Sequence, residues 1–185
     1  MNDMIPYHII NAIKETESSF IMGGGALNIL YNGNFITNDY DIFCHISEIE
    51  KISKLLDINL DKKICKYNIN DTTHIFEGFS KNIKIDLISY RNGFRIDEKV
   101  DFHNRMLAFD GEKLIFPTNQ CYEDCINKKL SFNINYPFLN KSEMKEVIDY
   151  INYDNKIISP NKSQLKAIKN IRKYMNRGFI LNDTL

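Results

Sequence analysis

Three aspartates and a run of glycines are the residues of this chain best equipped for chemistry. Asp39 and Asp41 stand one residue apart in "NDYDIF", and Asp86 lies within "IKIDLI", an otherwise apolar stretch. In an extended segment, residues two apart point to the same side, so Asp39 and Asp41 can converge on one region of space. An aspartate in an apolar strand is explained neither by strand propensity nor by burial. It needs a partner, and a cation held by the other two would supply one. Three carboxylates are hard oxygen ligands suited to Mg²⁺ or Mn²⁺, and crowded together they repel one another unless a cation intervenes. Two such ions about 3.5–4 Å apart could clamp the attacking and leaving oxygens of a phosphoryl transfer.

The glycines supply the other half. Gly23, Gly24 and Gly25 end the apolar run "SSFIM" and open "ALNILY". A glycine turn between strand and helix lets the backbone bend sharply and approach a ligand, and amides at the helix start favour a phosphate. Each signal alone has an ordinary explanation, because Asp-x-Asp and glycine runs are common in solvated turns. Their conjunction favours a nucleotide and metal site.

"YHIINAIKET" after Pro6 has helical spacing, with Ile9, Ile10 and Ile13 inward. "SSFIM" and "YDIFCHI" read as strands, and Ser47 with Glu50 as a capping box for the helix "EIEKISKLLD". "KKICKYNI", "THIFEGF" and "IKIDLISY" are rich in β-branched and aromatic residues, as strands are. Asp110-Gly111 between "RMLAF" and "KLIF" predicts a hairpin with a tight primed turn. From Pro117 onward the spacing is helical: "NQCYEDCINKKL", then "SEMKEVIDYINY", then a last helix from near Ser159-Pro160 to about Asn176, with Gly178 as its stop. The expectation is an α+β fold with a mixed sheet over residues 1–130 and a helical appendage over 131–185.

The glycine and aspartate pattern resembles that of the DNA polymerase-β-like nucleotidyltransferase superfamily, in which an apolar residue, Gly and Gly or Ser precede Asp-x-Asp and a later Asp. Here it runs through Met22, Gly23 and Gly24-Gly25, a spacer of thirteen residues, then Asp39, Asp41 and Asp86. Within that superfamily the chain looks most like the head of tRNA CCA-adding enzymes and bacterial poly(A) polymerases. Their GGAVRDLLLG segment is similar to "GGALNILYNG", and their RRDFTINALAYD segment is similar to the stretch from Asp101 to Gly111.

The resemblance implies a definite chemistry. Asp39 and Asp41 would bind both ions, Asp86 would join them and assist deprotonation of an attacking hydroxyl, and Gly24 and Gly25 would hold the triphosphate of an NTP. Asn28 would hydrogen-bond that triphosphate, and Asp101 and Arg105 would lie near its base or sugar. The reaction implied is transfer of a nucleoside monophosphate to a hydroxyl acceptor, with an RNA 3′ end such as that of tRNA as the leading acceptor. The departures are concrete. Asn28-Ile29 replaces the family's Arg-Asp, Lys99-Val100 replaces two arginines, and Arg105 replaces an asparagine. They leave room for two alternatives: a fold that binds nucleotide or nucleic acid without turnover, and a toxin-type enzyme that nucleotidylates tRNA or protein.

The 185 residues suffice for one compact domain with an appendage, and 43% hydrophobic with 26% charged residues is ordinary for a globular chain. Formal net charge is zero, so attraction to nucleic acid requires a local patch. Lys162, Lys166, Lys169 and Lys173 line one side of the last helix, with Leu165, Ile168, Ile171 and Met175 assigned to the core. That basic side reads either as an RNA track or as an ordinary solvated face. Cys44, Cys65, Cys121 and Cys125 lack metal-ligand spacing and read as free thiols of a reducing cytoplasm. His8, His45, His74 and His103 show no catalytic spacing. No stretch has the apolar length of a membrane span, and the N-terminus carries no signal pattern, so no membrane partner is expected.

Overall fold

A computed structural model describes residues 5–60, 63–64, 72–92, 94–96, 100–153 and 159–185. Cys65, most of "KKICKYNI" and Lys99 lie outside them. The chain divides into two compact units, residues 1–95 with 107–115, and residues 96–106 with 116–185.

The first unit is built on a mixed sheet. Its elements in chain order are α1 (Tyr7–Lys14), β1 (Phe20–Met22), α2 (Gly24–Leu30), β2 (Asp39–His45), α3 (Ile49–Leu56), β3 (Lys63–Ile64), β4 (Thr72–Ser80), β5 (Ile83–Tyr90), β6 (Ala108–Phe109) and β7 (Leu114–Ile115). Among the described residues the sheet has seven strands in the order β3-β4-β5-β2-β1-β6-β7. Only β2 and β5 run parallel; the other neighbouring pairs are antiparallel.

Burial in β2 alternates strictly: Tyr40, Ile42 and Cys44 are buried, while Asp39, Asp41, Phe43 and His45 are part-exposed. Period-two alternation of this kind marks a strand with one core face. Ile21, Ile85 and Leu87, all fully buried, extend that core onto β1 and β5. In α1 the core residues are Ile9, Ala12 and Ile13, whereas Ile10 is only half-buried. Burial of Cys44 pushes its thiol pKa up to about 12, so it stays a neutral core residue.

Two local expectations are corrected. Ser47 and Glu50 form no capping box: α3 starts after a 3₁₀ turn at Ile46–Glu48, and its N-cap is Glu48, without a side-chain cap bond. The carboxylate of Glu48 instead accepts the backbone N–H groups of Glu17 and Ser18, each at 2.9 Å, and the Ser18 hydroxyl. The Asp110-Gly111 hairpin does form, but with a four-residue loop. Only Gly111 has positive φ (+96°), and Asp110 Oδ1 accepts from the backbone N–H of Glu112 and Lys113. The aspartate side chain thus closes the turn where a two-residue primed turn would need positive φ at both positions.

Glu48 carries a pH prediction. Burial alone would raise its pKa, but the Ser18 hydroxyl, the two backbone donors and the Lys51 charge outweigh that and hold it below the usual glutamate range. A depressed folded-state pKa contributes stability above the unfolded-state value, lost as pH falls through the folded-state value. Glu48→Gln is therefore expected to cost about 1 kcal/mol at pH 7 and much less near pH 3. Thermal unfolding of both proteins at the two pH values checks this; an equal gap at both refutes it.

The second unit contains a 3₁₀ turn at His103–Met106, α4 (Asn119–Ile126), β8 (Lys129–Leu130), α5 (Lys141–Tyr153), α6 (Lys162–Met175) and β9 (Ile180–Leu181). The β8–β9 ladder is parallel and was not legible as strand. Asn161 caps α6, its side chain accepting from Gln164 N while the Gln164 side chain accepts from Asn161 N. At the other end Gly178 takes φ +82°, as its stop role requires. The core side of α6 consists of Gln164, Ala167, Ile168, Ile171 and Tyr174. Leu165 and Met175, assigned to the core from spacing, are 52% and 43% exposed. They sit at the edges of a stripe narrower than the apolar residues suggest. Among the described residues no helix is long and apolar enough to cross a membrane.

Candidate active site

The parallel pairing of β2 with β5 sets Asp41 opposite Asp86 and Asp39 opposite Lys84. Partners in register project to the same side of a sheet, so Asp39, Asp41 and Asp86 share the face opposite the Tyr40–Ile42–Cys44 core. The antiparallel hairpin β4–β5 then brings Glu77 opposite Asp86. Its turn residues, Lys81 and Asn82, both have positive φ (49° and 69°), which is the primed geometry that fixes hairpin register. A row of carboxylates therefore crosses three adjacent strands: Glu77, Asp86, Asp41.

Sequence reasoning missed Glu77 and Lys84. Lys84 Nζ lies 2.7 Å from Glu77 Oε1 and 3.8 Å from Asp86 Oδ1. The Glu77 hydrogen bond raises the Lys84 pKa, with the charges of Asp86, Glu77 and Asp39 adding to it and burial opposing. The available signal was the alternation Glu77–Phe79 and Lys84–Asp86 across a short turn. Lys81-Asn82 lacks the Asn-Gly signature that would have announced the hairpin.

Three carboxylates on one face match the donor chemistry of a hard divalent cation. The side chains are not assembled around one point, however: among the described residues no group of three or more His, Cys, Asp or Glu is placed to hold a metal ion. The residues fit the cation in type, register and face, and Asp86 is engaged by Lys84.

The glycine turn follows β1 on the adjacent strand, where Met22 is the register partner of Asp41. Gly23 takes φ +60°, ψ −123°, open to glycine and costly for other residues. Gly24 and Gly25 are the first residues of α2, so their amides have no intrahelical acceptor. A Cβ on Gly25 would meet Ile21 Cγ2 at 2.5 Å and Tyr40 Cδ1 at 2.8 Å, so this glycine also lets α2 pack closely on β1 and β2. Asn28, on the same helix, is 3% exposed and its side chain faces the interior. Along the acidic face, Phe43 stacks on Phe20 with centroids 5.5 Å apart, and Phe94 lies 4.9 Å from Tyr90.

Asp101 and Arg105 belong to the second unit. Asp101 is 1% exposed; its Oδ1 accepts from Arg105 Nη1 and its Oδ2 from Asn170 Nδ2 at 2.7 Å. The pair ties the segment before the 3₁₀ turn to α6. In the same unit, the buried carboxylate of Asp124 accepts from Gln120 Nε2, Ser131 N and Ser131 Oγ. Lys162, Lys166, Lys169 and Lys173 are all exposed on α6. Arg172, beside them, donates to the Tyr150 hydroxyl of α5.

Fold and topology together define an α+β class, a mixed sheet flanked by helices. Solved structures that share this fold include CCA-adding enzymes and a tRNA-processing enzyme. The Thermotoga maritima CCA-adding enzyme complexed with tRNA is 16% identical, with a TM-score of 0.51 over 92% of this chain and 42% of that one. A tRNA-processing enzyme in its apo form is 15% identical (TM-score 0.53; 92% and 49% covered), and a CCA-adding enzyme with CTP is 15% identical (TM-score 0.51; 92% and 43%). The chain spans less than half the length of each. No protein-family model and no curated protein sequence matches it.

Proposed function

We propose that this protein is a metal-dependent nucleotidyltransferase that moves a nucleoside monophosphate from an NTP to a hydroxyl acceptor, with an RNA 3′ end of the tRNA type as acceptor. The observation that carries this reading is the β2–β5 register, which sets Asp41 beside Asp86 with Asp39 on the same face. Asp39, Asp41 and Asp86 would hold Mg²⁺ or Mn²⁺, which when bound supplies charge neutralisation at the phosphate oxygens. The amides of Gly24 and Gly25 would hold the triphosphate. The acceptor oxygen forms a bond to the α-phosphorus, the bond from that phosphorus to the α,β-bridging oxygen breaks, and pyrophosphate leaves. The hydroxyl proton passes to the Asp86 carboxylate. Most of the protein's contribution is positioning and electrostatics.

One observation favours the alternative of nucleotide binding without turnover: Asp86 is engaged by Lys84. Incubation of the full chain with each α-labelled NTP, Mg²⁺ and total RNA separates the two. Label in RNA supports transfer; bound NTP without label in RNA supports the alternative.

The RNA partner rests on α6. Lys162, Lys166, Lys169 and Lys173 present exposed ammonium groups along one helix, a geometry suited to tracking phosphates. Lys166→Glu with Lys169→Glu is expected to weaken RNA binding and to flatten its log–log salt dependence by about 0.7 for each single-strand phosphate the helix no longer neutralises. Binding isotherms at several salt concentrations check this; an unchanged slope removes α6 from the interface.

A further inference from the structure

We propose that Lys84 is a resident counter-ion of the acidic face and sets how tightly that face takes a divalent cation. The inference rests on the metal-binding reading of Asp39, Asp41 and Asp86 given above.

Glu77, Asp86 and Asp41 are direct cross-strand partners on three neighbouring strands, and Asp39 is two residues from Asp41. Strands lie about 4.8 Å apart, and like charges directly opposite one another are destabilising. Such a row needs a cation between its members whether or not nucleotide is present. Lys84 is placed to be that cation: two residues from Asp86 on β5, register partner of Asp39, and in contact with both Glu77 (2.7 Å) and Asp86 (3.8 Å). Its side chain is one-third exposed, so the ammonium can swing outward when another cation arrives.

An ordinary cross-strand ion pair would adjust stability slightly and nothing else. A counter-ion does more. It competes with the incoming ion for the same carboxylates, and its removal changes metal affinity in a defined direction. Lys84 is thus a positioning residue: it holds Asp86 toward Glu77 until a divalent ion takes over that charge.

The test is Mn²⁺ binding to the full-length protein without nucleotide, read from the electron paramagnetic resonance signal of free Mn²⁺. Lys84→Met keeps the aliphatic stem and removes the charge, and is expected to tighten binding roughly tenfold, as removal of a unit charge at contact distance implies. Lys84→Arg should stay near wild type. Glu77→Gln should weaken binding, because the ammonium then falls wholly to Asp86. Circular dichroism confirms folding, and Lys84→Gln replaces the methionine variant if that one does not fold. Wild-type affinity or weaker in the charge-removed variant overturns the inference while leaving the metal site standing. Absence of Mn²⁺ binding in both wild type and Lys84→Met overturns the metal site and the inference together.

Discussion

Asp86→Asn is expected to lower transfer of labelled nucleotide to RNA by at least about 10³-fold, combining loss of a proton acceptor with loss of a metal ligand. Its melting temperature should stay near that of wild type. Asp86 sits at the part-exposed face of β5, with a side chain 23% exposed, and asparagine keeps its shape. Asp39→Asn and Asp41→Asn should be equally inactive, and removing a like charge from the row should leave them no less stable. Activity is thus lost while the fold is kept, whereas an ordinary surface carboxylate would leave both unchanged. Steady-state transfer assays alongside thermal unfolding decide it. Wild-type transfer by Asp86→Asn would remove the proposed catalytic role of that carboxylate.

The second large effect lies in the other unit. Asp101→Ala is expected to destabilise the protein by about 2–4 kcal/mol, because removing one member of a buried ion pair leaves the other poorly compensated. Arg105 is 25% exposed, so water recovers part of its charge, and the figure is set below that for fully buried pairs. Asn170 Nδ2 loses its carboxylate acceptor as well. Chemical denaturation gives the measurement. The same variant tests whether Asp101 touches nucleotide base or sugar, the role its resemblance implied. A base contact would change kcat/KM with little change in stability, whereas the bonds to Arg105 and Asn170, both internal to the unit, predict the reverse. Full stability with altered NTP selectivity would refute the structural role.

How much of this was legible can be judged residue by residue. β1 was readable as a short apolar run, and β4 and β5 from their β-branched and aromatic residues; in β2 the burial alternates with period two, as one core face imposes. Asp86 stood out because a charge in an apolar strand lacks a local explanation, and Asp39 and Asp41 because their two-residue spacing follows a glycine turn. Failures came where a side chain had several partners to choose from. Ser47 and Glu50 had the spacing of a capping box, but Ser47 pairs with His45 Nδ1, and β1's approach recruits Glu48 to the Glu17 and Ser18 amides. Leu165 and Met175 had helical spacing, yet the surface that α6 packs against is narrower than its apolar stripe.

Legible in the chain alone are which carboxylates have the chemistry for a cation, where the glycine turn falls, and which stretches recur with strand or helical period. These are local properties, set by steric preference and by the distance between neighbours along one chain. That β2 runs parallel to β5, with Asp41 level with Asp86 and Lys84 beside Asp39, emerges only in the folded sheet. Strand order and register are fixed by the collective burial of Ile21, Ile42, Ile85 and Leu87, a sum over segments far apart in the chain that no single window of residues encodes.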